Sequence, residues 1–152
     1  MSNKFPLSQK YIDFINTTNV SAEFLEGTTA SGKTTVGAGV KFMRMVSQSP
    51  KKLHAIAAKT TGKAEETIIQ QDNGILDLHR NAVYCGNGDK DYKLPHIKFE
   101  DKIIYILGYS SRDKWEMVLG AQLGAFILTK STPPISSLSE RCQPVMTICL
   151  RR

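Results

Sequence analysis

The sequence predicts an α/β fold, in which a parallel sheet is flanked by helices and carries a small β insertion. Short apolar runs typical of buried strands alternate along the chain with segments whose apolar residues recur at helical spacing. Strand, helix and strand in this order favour parallel pairing, because each helical crossover returns the chain to the same edge of the sheet. Between residues 83 and 99 the pattern changes to short strand-like runs around a glycine-rich turn, which predicts the insertion.

The first half of the chain predicts two strands and three helices. Ser8 is placed to cap a helix that carries Tyr11, Ile12 and Ile15 on one face. Alternating apolar residues predict a strand over 20–25, and a glycine-bounded loop follows at 27–32. Helical spacing of Val36, Val40 and Met43 predicts a helix over 33–47, before Pro50. A second strand is predicted over 53–58 and a third helix over 64–71, closed by Asn73 and Gly74.

The second half predicts the insertion and the end of the sheet. Residues 83–85 and 97–99 are expected to form a side sheet or hairpin around the turn at 86–89. Residues 103–107 give a strong strand pattern, 111–119 a helix with Trp115 and Leu119 one turn apart, and 124–127 the start of another strand.

Composition favours one soluble globular domain. The chain has 152 residues, of which 41% are hydrophobic and 22% charged. Residues 1–8 lack the basic and apolar stretches of a signal peptide, and the apolar run at 103–109 is too short to cross a bilayer. We therefore expect a cytoplasmic protein that does not bind membranes.

Charge and cysteine content add little about function. Of the net charge of +6, residues 128–152 supply half, from Lys130, Arg141, Arg151 and Arg152 against Glu140. The rest of the chain is mildly basic, so charge alone does not predict a nucleic-acid interface. The three cysteines show no C-x-x-C spacing and the three histidines are scattered, so the spacing indicates neither a zinc site nor a disulfide framework.

One motif carries chemistry, and it matches G-x-x-x-x-G-K-[ST] at every specified position. Its residues are Gly27, Thr28, Thr29, Ala30, Ser31, Gly32, Lys33 and Thr34. The glycines let successive backbone N–H groups turn toward phosphate oxygens, the lysine reaches the β- and γ-phosphates, and the threonine hydroxyl binds Mg²⁺. A predicted strand before the loop and a predicted helix after it give the motif its required setting. We predict that these eight residues and Thr35 bind nucleotide phosphates, with Thr34 as a metal ligand.

The catalytic half of such a site is missing from the sequence. Phosphoryl transfer also needs an acidic residue on a later strand to hold Mg²⁺, and a group that orients the attacking water. The expected place is directly after Ile127, yet no carboxylate follows until Glu140. We therefore predict a P-loop NTPase fold that is incomplete, and we assign no catalytic residue.

Further segments resemble the large terminase subunits of phages and prophages of Gram-positive bacteria. The similarity covers about residues 5–127 in matching order and rests on the segments 24–27, 49–54, 74–77, 94–97, 103–109 and 119–124 in addition to the loop. Proteins of this family are motors that translocate phage DNA into a prohead, with an N-terminal ATPase domain and a C-terminal nuclease.

The resemblance implies ATP and Mg²⁺ as cofactors at the loop. It also implies double-stranded phage DNA, a small terminase subunit and a portal as partners. In the family an Asp-Glu pair follows the strand that ends at Ile127, the Asp for Mg²⁺ and the Glu to activate water. This sequence departs from the family at that point and has no nuclease domain.

A frameshift near Ile127 accounts for the departure. If the codons of residues 128–134 are read from their third bases, they permit Asp-Glu-Ile-Asn-Thr-Ala-Asp, which is how the family continues. We therefore divide the chain into residues 1–127, the N-terminal part of the ATPase domain, and residues 128–152, an aberrant and disordered tail. Three alternatives stay open: a short C-terminus with its own role, another P-loop enzyme such as a small kinase, and a non-functional prophage remnant.

Overall fold

The computed structural model describes residues 7–17, 22–26, 31–110, 122–130 and 145–150. The helices are α1 (Gln9–Asn16), α2 (Met43–Gln48), α3 (Thr61–Ala64) and α4 (Ile75–Leu78). One π-helical segment, Thr35–Phe42, leads into α2, and another, Glu65–Ile69, continues α3. The strands are β1 (Ala22–Glu26), β2 (Leu53–Ala58), β3 (Ala82–Cys85), β4 (His96–Phe99), β5 (Lys102–Gly108), β6 (Ala125–Lys130) and β7 (Val145–Leu150).

The sheet is mixed, not parallel as predicted. Its seven strands follow the order β1-β7-β6-β2-β5-β4-β3, and only β2 pairs in parallel, with β5 and with β6. The remaining pairs are antiparallel, because the β3–β4 hairpin joins the edge of β5 through tight turns and β7 lies between β1 and β6. Since β1 and β6 both run opposite to β7, they share a direction with β2 and β5. The carboxyl ends of these four strands therefore meet at one edge of the sheet.

The core lies mainly on the face of the sheet that the helices cover. Ile56 of β2 and Ile104 and Ile106 of β5 are fully buried there, in one cluster with Phe42 and Met43, where the first π-helical segment meets α2. The opposite face of the same strands carries Ala55, Ala57 and Leu107, which form a smaller buried cluster. Two-residue alternation along each strand separates the two sets.

The predicted strands agree closely with the observed ones. The strand predicted over 53–58 is β2, and those predicted over 103–107 and from 124 are β5 and β6. The insertion is confirmed as an antiparallel hairpin of β3 and β4, but it extends the main sheet rather than forming a side sheet. The first helix is confirmed with Ser8 at its N-cap position, although the Ser8 side chain makes no capping hydrogen bond.

Two helices differ from their predictions. The third helix starts at Thr61, before the expected residue 64, because the Thr60 hydroxyl caps it by accepting a hydrogen bond from the Lys63 N–H at 3.1 Å. The short helix α4 was not predicted; it follows Asn73, which turns the chain with a positive φ of 59°. The helix expected over 111–119 lies outside the described residues.

Part of the predicted tail belongs to the sheet. Residues 128–130 complete β6, and residues 145–150 form β7. The backbones of these nine residues pair with neighbouring strands, and the disordered tail stays a prediction. β7 pairs through its backbone on both sides, with β1 and with β6, and backbone pairing of this kind does not bear on how the tail sequence arose. The frameshift stays a prediction.

His54 ties β2 to the start of β6 and is fully buried. Its Nδ1 accepts a hydrogen bond from the Ala125 N–H at 2.9 Å, so the neutral ring carries its proton on Nε2, 3.0 Å from the Lys51 carbonyl oxygen. A Cβ on Gly124 would lie 2.6 Å from His54 Cε1, which leaves room for glycine alone. Burial lowers the pKa of His54 below its usual 6.5.

This geometry predicts a loss of stability in mild acid. As the pH falls through 6.5, the unfolded chain binds a proton on His54 that the folded chain resists, so stability present above pH 6.5 is lost below it. We expect the melting temperature to fall between about pH 7.5 and 5.5, and to fall less in His54→Asn, which keeps an acceptor for Ala125 but does not titrate. Identical slopes for the two proteins would contradict the prediction.

Candidate functional site

The strand that precedes the glycine-rich loop in the sequence, β1, ends at the carboxyl edge of the sheet. β1 ends at Glu26, and residues 27–30 of the predicted site lie outside the described residues. The Glu26 and Lys130 backbones flank the same β7 residue, Val145, from opposite sides. With strands about 4.8 Å apart, the ends of β1 and β6 lie about 10 Å from each other. The ends of β1 and β6 therefore share one region of the edge.

Gly32 marks the start of the helix that follows the loop. Its φ of +82° lies in the left-handed region, which glycine adopts without steric cost. Its carbonyl accepts a hydrogen bond from the Val36 N–H at 2.9 Å, so helical bonding begins at this residue. The chain is helical from Lys33 through Gln48, as the sequence predicts for a loop that turns directly into a helix.

The Lys33 side chain contacts the last residues of the loop. Its Nζ donates a hydrogen bond to the Ser31 Oγ at 3.0 Å, and burial lowers the pKa of its ammonium group. Thr34 and Thr35 follow in the first turn and are half-buried. The first N–H groups of a helix lack intrahelical acceptors and carry the positive end of its dipole. These residues thus bring an ammonium, two hydroxyls and a helix N-terminus to one place.

Helix α1 supports the loop from outside. The Tyr11 hydroxyl donates a hydrogen bond to the Ser31 carbonyl oxygen, and its ring lies beside Gly32, where a Cβ would meet the hydroxyl oxygen at 3.7 Å. The sequence placed Tyr11 on the apolar face of its helix but did not indicate this contact with the loop.

Lys41 fixes the elements around the loop and was missed by sequence reasoning. Its side chain is 3% exposed; its ammonium pairs with the Glu23 carboxylate of β1 and donates to the Phe14 carbonyl oxygen of α1 at 2.5 Å. It also lies 4.0 Å from the centroid of the Phe14 ring, within the range of a cation–π contact. One buried cation therefore joins α1, β1 and the helix after the loop.

The strand expected to carry the acidic pair offers no carboxylate. Leu128 and Thr129 occupy the two positions after Ile127 within β6, and the Thr129 hydroxyl donates to the Ala57 carbonyl oxygen at 3.3 Å. Asp101 cannot substitute, because it precedes β5 and so lies at the opposite edge of the sheet. Among the described residues, Glu26 is the carboxylate at the end of β1, and it is exposed.

No protein-family model matches the sequence, and neither the curated proteins nor the solved structures gave a significant match. Within the described ranges, no helix has the length and apolar character needed to cross a membrane.

Proposed function

We propose that the chain is the N-terminal part of the ATPase module of a phage terminase large subunit, and that it binds Mg-ATP through residues 27–35 without hydrolysing it. The observation that carries the proposal is the junction at Gly32. A left-handed glycine leads into a helix whose first residue, Lys33, donates a hydrogen bond to Ser31 of the loop.

The chemistry of the described residues fits a nucleoside triphosphate. A phosphate oxygen can replace the Ser31 Oγ as the acceptor for Lys33, since a charged acceptor makes a stronger hydrogen bond than a hydroxyl. Such an anion also compensates the desolvation that lowers the pKa of Lys33. The Thr34 hydroxyl would hold Mg²⁺, and the helix N-terminus stabilises the negative charge of the phosphates.

The terminase assignment rests on the ordered resemblance of residues 5–127. It carries with it double-stranded phage DNA, a small terminase subunit and a portal as proposed partners of the full-length protein. In this chain the packaging reaction would be incomplete, because Leu128 and Thr129 occupy the positions of the Mg²⁺-holding and water-activating carboxylates.

The same pair of residues favours a second candidate, an ATP-binding prophage remnant with no role in packaging. It differs from the first in what the encoding DNA contains, not in how the loop binds phosphate. A small kinase would instead need an arginine-bearing lid over the phosphates. Residues 32–127 contain only three arginines, Arg44, Arg80 and Arg112, which is too few to indicate such a lid.

Substitution of Lys33 tests the binding site. For the unaltered chain, Mg-ADP or Mg-ATP at about 100 times Kd is expected to stabilise the fold by about 2.7 kcal/mol, or several degrees in melting temperature. Lys33→Ala should abolish this shift, because it removes the cation that reaches the phosphates. Lys63→Ala is the matched control, since that side chain is 45% exposed and pairs with Glu66 away from the loop. An equal shift in Lys33→Ala would place the phosphates elsewhere.

A further inference from the structure

The β3–β4 hairpin brings together three metal-binding side chains that are separate in the sequence. Cys85 ends β3, His96 begins β4 directly opposite it, and Asp89 lies in the connecting turn. The Cys85 Sγ, a ring nitrogen of His96 and a carboxylate oxygen of Asp89 all lie within 4.8 Å of one another. The hairpin forms the far end of the sheet from β1, so the cluster is separate from the nucleotide site.

His96 has a buried nitrogen without a hydrogen-bonding partner among the described residues. The residue is 0% exposed, enclosed in part by Tyr92, whose ring centroid lies 5.4 Å from that of His96. The His96 Nδ1 lies 2.8 Å from the Leu94 carbonyl oxygen, an acceptor, and therefore carries the proton of the neutral ring. Its Nε2 has no hydrogen bond and presents a lone pair toward the cluster.

A carboxylate oxygen, which is also an acceptor, lies close to that lone pair. Asp89 Oδ2 lies 3.5 Å from the His96 Nε2, while its Oδ1 accepts hydrogen bonds from the N–H groups of Asp91 and Tyr92. The Asp89 Oδ2 also pairs with the ammonium of Lys98, whose side chain is partly exposed. Of these two acceptors, the buried His96 Nε2 is the unsatisfied one, because the partly exposed Asp89 Oδ2 already pairs with the Lys98 ammonium; a cation bound at the cluster would satisfy the His96 lone pair.

We infer that Cys85, Asp89 and His96 bind a divalent transition-metal ion of the zinc type. A thiolate, an imidazole and a carboxylate together suit Zn²⁺, whereas Mg²⁺ and Ca²⁺ prefer oxygen ligands alone. With bonds of about 2.1 Å, two ligands of a tetrahedral ion lie about 3.4 Å apart, which matches the separation of His96 and Asp89. The Leu94 carbonyl fixes the ring so that Nε2 faces the ion.

A bound ion would cross-link the two strands and the connecting turn of the hairpin. The ion joins the last residue of β3, the first residue of β4 and the turn, and the Cys85 thiol releases its proton to solvent as the thiolate binds. Three protein ligands leave a fourth position for water. Lys98 opposes the ion, because its ammonium pairs with the Asp89 Oδ2, yet its side chain is 43% exposed and can turn toward solvent.

The test uses the reduced 152-residue chain with Cys142→Ser and Cys149→Ser, which leaves Cys85 as its sole thiol. Co²⁺ is titrated first and followed by thiolate-to-metal charge-transfer absorption; Zn²⁺ is then measured by competition with a chromogenic chelator. We expect one ion per chain, with Co²⁺ displaced by Zn²⁺. Cys85→Ser should abolish the absorption and weaken Zn²⁺ binding at least about 100-fold, since even loss of a group that only orients a ligand costs about 10- to 100-fold.

Two more variants separate this site from binding by a thiol alone. Asp89→Asn and His96→Gln should each weaken Zn²⁺ binding, whereas Lys98→Met should strengthen it by about 5-fold, the effect of one exposed charge. Unchanged affinity in Lys98→Met together with unchanged affinity in Cys85→Ser would overturn the inference. Both positions are partly exposed, so these two variants decide the matter even if replacement of the buried His96 unfolds the chain.

Discussion

Replacement of Lys41 by alanine is expected to lower the free energy of unfolding by about 3–5 kcal/mol, the usual cost of breaking a buried ion pair by removing one partner. The Glu23 side chain that pairs with Lys41 is 13% exposed, so its carboxylate would be left without a cation in a largely dry place. The Phe14 carbonyl would lose a charged donor, and the Phe14 ring a cation–π contact. The measurement is equilibrium unfolding in urea, read as a shift in midpoint.

Lys63→Ala provides the comparison for that experiment. Its ammonium lies 2.9 Å from the Glu66 carboxylate, but the two side chains are 45% and 70% exposed, so its loss should cost at most about 1 kcal/mol. The double variant Lys41→Met, Glu23→Leu should recover much of the loss, because neither charge is then left buried. Similar costs for Lys41→Ala and Lys63→Ala would show that the pair at Lys41 is not isolated from solvent.

The parts of the fold that could be predicted are those set by local pattern. β2 is apolar except for His54, β5 is apolar from Ile103 to Leu107, and Val36 and Met43 recur at helical spacing, so each element is specified within a few residues. The direction of pairing is not local. A glycine-rich turn predicts a hairpin between β3 and β4, but whether the hairpin adds to β5 depends on the free edge of a strand elsewhere in the sequence.

The candidate sites also differ in whether a local pattern predicts them. Residues 27–35 are contiguous, so the motif can be recognised in the sequence. It includes Gly32, whose positive φ agrees with the glycine that the motif requires there. The contact of Lys41 with Glu23 spans 18 residues and that of Tyr11 with Ser31 spans 20, and neither spacing has a sequence signature. Cys85 and His96 become neighbours only through the register of β3 with β4. A search for C-x-x-C spacing therefore could not find this cluster.

The position of Thr129 explains why phosphate binding and hydrolysis are expected to separate in this chain. β6 runs in the same direction as β1 and ends level with it, with β7 between them, so Leu128 and Thr129 lie level with Phe24 and Leu25 near the carboxyl end of β1. A threonine hydroxyl that donates to the Ala57 carbonyl, and an apolar Leu128, can neither neutralise Mg²⁺ nor take a proton from water. Phosphoryl transfer depends on both of those functions.

We therefore expect the purified chain to bind Mg-ATP but to hydrolyse it no faster than background.

Read from the third base of the codon for Leu128, the encoding DNA is expected to give Asp-Glu-Ile-Asn-Thr-Ala-Asp. This reading frame is then expected to stay open for a few hundred codons and to encode further acidic residues suited to a two-metal nuclease. The protein made in that frame should hydrolyse ATP at least about 10³-fold faster, since loss of groups that act on the transferring phosphate costs this much or more. Its Lys33→Ala variant serves as the inactive control. An early stop codon or a non-acidic pair in that frame would refute the frameshift. If the 152-residue chain itself hydrolyses ATP and Lys33→Ala abolishes this activity, a carboxylate other than the missing pair holds the metal, and Glu26 is the first residue to replace.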